Sequence, residues 1–383
     1  MISILICGDY APQNRIADML TEKDYTFLDE VGRVTKTVDL SIVNLEAPVV
    51  IGQTKPIMKT GPALQCSPEA VEALKISGFD CVTLANNHFR DYGQTGVEDT
   101  IKTLEKYSIE YLGAGVNKKD SKKILYKTIK GKTIAVVNYC ENEWSIASEA
   151  RGGSNPLNPT LNYYDIIEAK KVADYVIAII HGGVELYNLP TPRMKEWYRF
   201  FIDVGADIVV NHHQHCFSGY EIYKGSPIFY GLGNFCFDWN IQHTSLWNQG
   251  FMLKLLLKDE NVAFEMIPYI QCDKEALVSI KSVKYDSFGK QIERLNEIIA
   301  DDNKLRDHFN ELCNDGMRRF APILFPYRNK YFRALAIRGL LPSFITKDKL
   351  KNLRAYSSCE SYNETLKTFL DIKLKKKNEK ENF

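Results

Sequence analysis

An α/β fold built on a largely parallel sheet is what this sequence predicts, on three observations. Five short aliphatic runs, residues 2–7, 40–43, 81–84, 175–180 and 208–210, are too continuously apolar for strands with one wet face, and read as buried parallel strands. Segments with helical spacing lie between them. Each run also ends in a glycine, acid, amide or histidine, and in open α/β sheets sites form beyond the carboxyl ends of the strands.

In chain order, 2–7 is followed by Gly8-Asp9-Tyr10, read as a turn that presents an acid. Phe27, Leu28, Val31 and Val34 mark a helix, and the strand 40–43 then leads into Asn44-Leu45-Glu46-Ala47-Pro48. Ser67-Pro68-Glu69 opens a helix that Gly78 closes. Strand 81–84 delivers Ala85-Asn86-Asn87-His88, Asp91-Tyr92-Gly93 turns the chain, and Val97, Ile101 and Leu104 mark another helix.

Lys130-Gly131-Lys132 joins 124–129 to 133–138 as a hairpin, and 149–156 is a surface loop rich in breakers. After a helix, strand 175–180 ends in His181-Gly182-Gly183. Thr191-Pro192 opens a helix carrying Trp197, Phe200 and Phe201, and strand 208–210 runs into Asn211-His212-His213-Gln214-His215. A second hairpin, 220–223 with 227–230, and strands 250–257 and 262–269 complete the sheet content. Ile292, Leu295, Ile298 and Ile299 then show helical spacing. The expected division is a domain over 1–272 and a helical extension over 273–383, ending in a basic tail with Lys373, Lys375, Lys376 and Lys377.

The 49 basic and 48 acidic residues leave a formal charge of +1, which gives no global field for nucleic acid. A hydrophobic content of 45% over 383 residues supports a large core. Nine cysteines without a CxxC pair read as reduced thiols in a cytoplasmic protein. No apolar run approaches the roughly 18 residues of a membrane span, so at most peripheral membrane contact is expected. No GxxxxGK[ST] loop occurs, which argues against ATP use by this chain alone.

The strand ends collect Asp9, Glu46, Asn87 with His88, His181, and the pair His213/His215. Singly each has an ordinary reading: a turn aspartate, a strand-end charge, loop amides, a core histidine. Together, carboxylates, an amide and imidazoles without a thiolate suit one or two divalent metals, Mn, Fe or Zn. Two such ions about 4 Å apart hold a phosphate oxygen and activate water. His212 is expected to point away as scaffold. His243, in a polar loop with Trp239 and Trp247, is a candidate for a substrate pocket, and Tyr10 stands beside the site.

The motifs Gly8-Asp9, Val43-Asn44-Leu45-Glu46-Ala47-Pro48, Leu84-Ala85-Asn86-Asn87-His88 with Asp91-Tyr92-Gly93, His181-Gly182-Gly183-Val184-Glu185, His212-His213-Gln214-His215 and Tyr230-Gly231-Leu232-Gly233-Asn234-Phe235 occur in this order. Over roughly residues 2–270 the sequence thereby resembles the CapA family of poly-gamma-glutamate and capsule biosynthesis proteins, within the calcineurin-like metallophosphoesterase superfamily. The resemblance implies an α/β fold of four layers, an α-β-β-α sandwich, here with a C-terminal helical extension. It implies Asp9, Glu46, Asn87, His181, His213 and His215 as metal ligands, with Glu46 bridging, and His88 as general acid to the leaving group. Asn86, Tyr10, His243 and Asn234 are the accompanying candidates for substrate contact.

The activity so implied is that of a metal-dependent phosphoester hydrolase or phosphoryl transferase in surface-polymer biosynthesis. Its substrate would be a phosphorylated small molecule or polymer precursor, and its partners polymer-synthesis proteins rather than nucleic acid. The alternative is an accessory subunit that binds without hydrolysis. Two departures bear on this: Ala11 stands where the superfamily's Asp-x-His places a histidine, and Gln214 stands in place of a proline between the paired histidines.

Overall fold

The aliphatic runs fold into two sheets, whose alternating side chains decide what each face meets. In this computed structural model the described residues are 1–59, 61–239, 245–259, 261–281, 283–315, 329–341, 346–358 and 370. The strands are β1 (Ile2–Tyr10), β2 (Leu40–Leu45), β3 (Cys81–Thr83), β4 (Glu110–Leu112), β5 (Ala114–Gly115), β6 (Leu125–Ile129), β7 (Lys132–Cys140), β8 (Gly153–Ser154), β9 (Tyr175–His181), β10 (Ile208–His212), β11 (Tyr220–Tyr223), β12 (Ser226–Phe229), β13 (Asn234–Cys236), β14 (Gln249–Lys258), β15 (Asn261–Gln271) and β16 (Val278–Ser279).

The first sheet runs β16-β15-β14-β1-β2-β3-β4, with β13 also paired to β1. The second runs β11-β12-β10-β9-β7-β6. Strands β1 to β4 are mutually parallel, as are β7, β9, β10 and β12, while the hairpins add antiparallel strands at the margins. On β1 the period of two sends Ile4 and Ile6 into one core cluster with the second sheet's Val136, Ile177, Ile179 and Val209. Leu5 and Cys7 point the other way, onto helices α1 (Arg15–Thr21), α2 (Asp29–Thr35), α3 (Pro68–Ile76) and α4 (Gly93–Lys106) through Leu20, Val31, Leu74 and Ile101. After the short α5 (Lys118–Ser121), helices α6 (Pro159–Lys170) and α7 (Pro192–Asp203) cover the second sheet with Ile166, Ala169, Tyr198 and Phe201. The layer order is therefore α-β-β-α, as the resemblance implies.

Local chemistry accounts for several boundaries. Pro68 occupies the first turn of α3, and the Thr191 hydroxyl accepts from Met194 N at 3.2 Å to cap α7. One boundary differs from the sequence reading: β1 does not turn at Gly8 but continues to Tyr10, with a register shift between Cys7 and Asp9. Glycine is needed at position 8 for closeness, since a Cβ there would collide with the Gly233 carbonyl oxygen beside β13. Gly8→Ala is expected to destabilise the fold by about 1–3 kcal/mol, read as a lowered denaturation midpoint.

The chain divides into a unit over Met1–Asp307 and a second over His308–Phe383. The division falls after 307 rather than at 272 because the helix Tyr285–Ala300 buries Phe288, Ile292, Leu295 and Ile299 in the same cluster as both sheets. The second unit contains helices at Lys330–Ile337 and Lys347–Ser358, and the lysines of the tail lie outside the described residues. Among the described residues no helix is long and apolar enough to cross a membrane.

A candidate dinuclear metal centre

The strand ends converge as the parallel topology requires. Asp9 closes β1, Glu46 follows β2, Asn87 and His88 follow β3, His181 closes β9, and His213 and His215 follow β10. The tight turn after β10 puts His213 and His215 at φ 88° and 55°, a left-handed backbone that non-glycine residues rarely adopt. Gln214 anchors this turn by donating from Nε2 to the Tyr187 and Leu189 carbonyls at 2.7 and 2.9 Å.

Two sets of ligand atoms result, each lying within 4.8 Å: Glu46, His181 and His213, and Asp9, Glu46 and His215. Glu46 belongs to both. Its carboxyl is fully buried, and neither oxygen has a hydrogen-bond partner among the described residues. Around His181 Nε2 lie Asn87 Oδ1 at 3.0 Å, His213 Nδ1 at 3.1 Å and Glu46 Oε1 at 3.3 Å. A single ring N–H satisfies one acceptor, so three acceptors at that distance form a cradle that suits a cation. Asn87 supplies the first set with a fourth oxygen or nitrogen donor. The second set has no such addition at Ala11, which is buried with its backbone N–H bonded to Cys236 O at 3.0 Å.

The supports are polar and buried. Asn44 donates to Asp9 Oδ1 at 2.7 Å, and the His213 backbone N–H donates to Asp9 Oδ2 at 3.1 Å. Asn234, brought beside Asp9 by the pairing of β13 with β1, lies with Oδ1 2.8 Å from His215 Nδ1 and fixes that ring. Burial, and then the neighbouring Glu46 charge, push Asp9 up to about 8, and burial raises Glu46 as well. Burial holds His181 and His213 far below the ordinary imidazole range, and lowers His212 to about 3. Two buried carboxylates among neutral imidazoles carry lone pairs with no counter-charge, an environment matched to a divalent metal.

His88 stands at the edge of this group. Its Nδ1 lies 2.6 Å from Asp91 Oδ2 and 3.1 Å from Lys59 Nζ. His212, expected to point away as scaffold, belongs to neither ligand set but faces inward: its Nδ1 is 3.6 Å from Asp9 Oδ1, and neither ring nitrogen has a hydrogen bond among the described residues.

Three of the substrate-contact candidates are placed differently from the expectation. Tyr10 is fully buried against Phe235, with its hydroxyl on the Ala70 carbonyl at 3.2 Å, so it packs the outer face of the sheet. Asn86 is buried and ties loops together, giving Nδ2 to Leu45 O at 2.8 Å and taking the His88 N–H on Oδ1 at 3.2 Å. Asn234 orients His215 instead of meeting solvent. His243 lies outside the described residues. The sequence reading missed Asn44 as a support, although Asn44 lies near the end of β2, two residues before Glu46; it missed Lys59, which no periodicity marks.

The model of the family described as bacterial capsule synthesis protein PGA_cap matches residues 3–239, a span that contains both ligand sets, Asn87, His88, Asp91 and Lys59. Capsule biosynthesis protein CapA of Bacillus anthracis is 34% identical over 247 residues, covering 62% of this chain and 60% of that protein. PGA biosynthesis protein CapA of Bacillus subtilis (strain 168) is 37% identical over 243 residues, covering 62% of this chain and 64% of its own. The chain thus spans under two thirds of the length of these relatives. Among solved structures, 5'-nucleotidase from Candida albicans SC5314 aligns over 81% of this chain and 57% of its own at 11% identity and a TM-score of 0.40, too distant a likeness to bear on function.

Proposed function

The chain belongs to the bacterial capsule synthesis protein family PGA_cap, and from that premise we propose that it is a metal-dependent phosphoester hydrolase or phosphoryl transferase acting in capsule or poly-gamma-glutamate biosynthesis. The observation that carries the reading is Glu46, a buried carboxylate with no hydrogen-bond partner among the described residues that belongs to two ligand sets at once. Divalent Mn, Fe or Zn held by Asn87, His181 and His213 on one side, and by Asp9 and His215 on the other, would neutralise phosphoryl charge and acidify a water there.

The chain's own residues supply the rest. Asp9 is fixed by Asn44 and by the His213 backbone, and His215 by Asn234. Both ligand sets therefore stand preformed on strand ends, which limits reorganisation on binding. His88, with Nδ1 held at Asp91, offers Nε2 to the leaving oxygen. The P–O bond to the leaving group breaks as the water oxygen forms the new one; the Nε2 proton goes to the departing oxygen, the proton lost by the water goes to solvent, and solvent returns one to Nε2.

Full-length protein loaded with Mn or Fe should cleave bis-p-nitrophenyl phosphate, and His213→Ala should reduce that turnover to background and lower the metal content. Turnover equal to wild type in His213→Ala would sink the site. A second reading, an accessory subunit that binds metal without turnover, is favoured by buried Ala11, which leaves the Asp9 set one donor short. Stoichiometric metal by mass spectrometry, no cleavage of any phosphoester tried and co-purification of a polymer synthase would support it.

A further inference from the structure

We infer that Lys59 is a positioning residue for His88, acting through Asp91. The inference rests on the phosphoester reading for the step His88 serves; the contacts themselves do not. Lys59 lies between β2 and α3, in a segment whose neighbours turn outward: Met58 is 62% exposed. The Lys59 side chain turns inward to 4% exposure, with Nζ 2.5 Å from Asp91 Oδ1 and 3.1 Å from His88 Nδ1. A lysine buried this far is costly unless paired, and here its pair is the residue that holds His88.

Asp91 is a hub. Fully buried, it takes Leu64 N–H on Oδ2 at 2.8 Å and Ile57 N–H on its carbonyl at 2.8 Å, while Oδ2 also meets His88 Nδ1 at 2.6 Å. Among the described residues, Oδ1 has only Lys59. The ammonium therefore fixes the rotation of the carboxylate about its Cβ–Cγ bond, and that rotation decides whether Oδ2 faces His88. With Nδ1 held there, Nε2 is directed away from Asp91, toward the leaving-group position. Lys59→Met leaves Oδ1 without a donor and lets the imidazole turn; Lys59→Arg keeps the charge and can restore the contact.

The test compares two esters in manganese-loaded full-length protein. Diphenyl phosphate releases phenoxide, more basic than p-nitrophenoxide, and so depends more on proton donation than bis-p-nitrophenyl phosphate does. In Lys59→Met, kcat on diphenyl phosphate should fall by about tenfold or more, distinctly more than on bis-p-nitrophenyl phosphate, with KM and metal content held; Lys59→Arg should recover most of the loss. In a His88→Ala background, Lys59→Met should add nothing further. Equal losses on both esters, or loss of metal, would overturn the positioning role and leave Lys59 as a loop anchor. If wild type binds metal and cleaves neither ester, the phosphoester reading fails instead, and Lys59 is then decided by long-range 1H–15N spectra of His88 in the zinc-loaded protein. A His88 ring unchanged by Lys59→Met would overturn the inference there too.

Discussion

Glu46→Gln is expected to lose metal binding and all metal-dependent turnover while making the metal-free protein more stable. The carboxylate belongs to both ligand sets, so its removal weakens two sites at once, whereas His213→Ala or His215→Ala strikes one. Stability moves the opposite way because Glu46 is fully buried with neither oxygen hydrogen-bonded among the described residues, beside Asp9, whose own carboxyl it pushes upward. A buried charge without partners costs several kcal/mol. The amide keeps the shape, removes the charge and relieves Asp9. The expected signature is a higher melting temperature without metal than wild type has, and a lower one in saturating manganese. A lower melting temperature in both conditions would mean that Glu46 is an ordinary structural acid. A retained pair of metals would mean that it does not bridge.

Such trade-offs cluster where local rules are broken for a site, and this chain breaks several within one region. His213 and His215 adopt positive φ, Glu46 has no hydrogen bond among the described residues, and Gly8 tolerates no side chain. The sequence made most of this region legible because the parallel strands are short and wholly apolar, so that the first polar residue after each marks its end, and those ends converge by topology. Asp9, Glu46, Asn87, His181, His213 and His215 all lie at or just beyond those ends.

What stayed hidden has physical causes as well. The bulge that carries β1 on to Tyr10 depends on β13, more than two hundred residues away, so residues 8–10 read locally as a turn. Tyr10 alternates to the helix-facing side of that longer strand, which takes it away from the site. Asn234 looks like a loop amide until the β1–β13 pairing sets it beside His215. Lys59 sits in a segment without secondary structure, and only its three-dimensional return to Asp91 gives it meaning. The helix at Tyr285–Ala300 reads as an extension because its spacing states that one face is buried, without stating against what.

The stabilisation gained on adding manganese is expected to grow as pH rises from about 5 to about 8, and the sign follows from the buried acids. Asp9 has a folded value of about 8 against an ordinary 3.8. Metal-free, the folded chain keeps a proton that the unfolded chain has released; this group's contribution to stability is whole below about 4 and is lost as pH climbs through about 8. Glu46 is raised too and shifts in the same sense. His181 and His213 work in reverse: their folded values lie far below 6.5, so their contribution is present above 6.5 and is lost as pH falls.

A cation needs ionised carboxylates and neutral imidazoles. Burial already supplies the His181 and His213 imidazoles in neutral form, and it adds the Asp9 carboxyl proton as a competitor. Near pH 5 that proton must be expelled for metal to bind; near pH 8 it is leaving by itself. Melting temperatures with and without manganese at pH 5, 6, 7 and 8 should therefore diverge upward, and calorimetry in buffers of different ionisation enthalpy should show proton release on binding that shrinks over the same interval. A manganese effect that is flat or declines with pH would remove Asp9 and Glu46 from the ligand set.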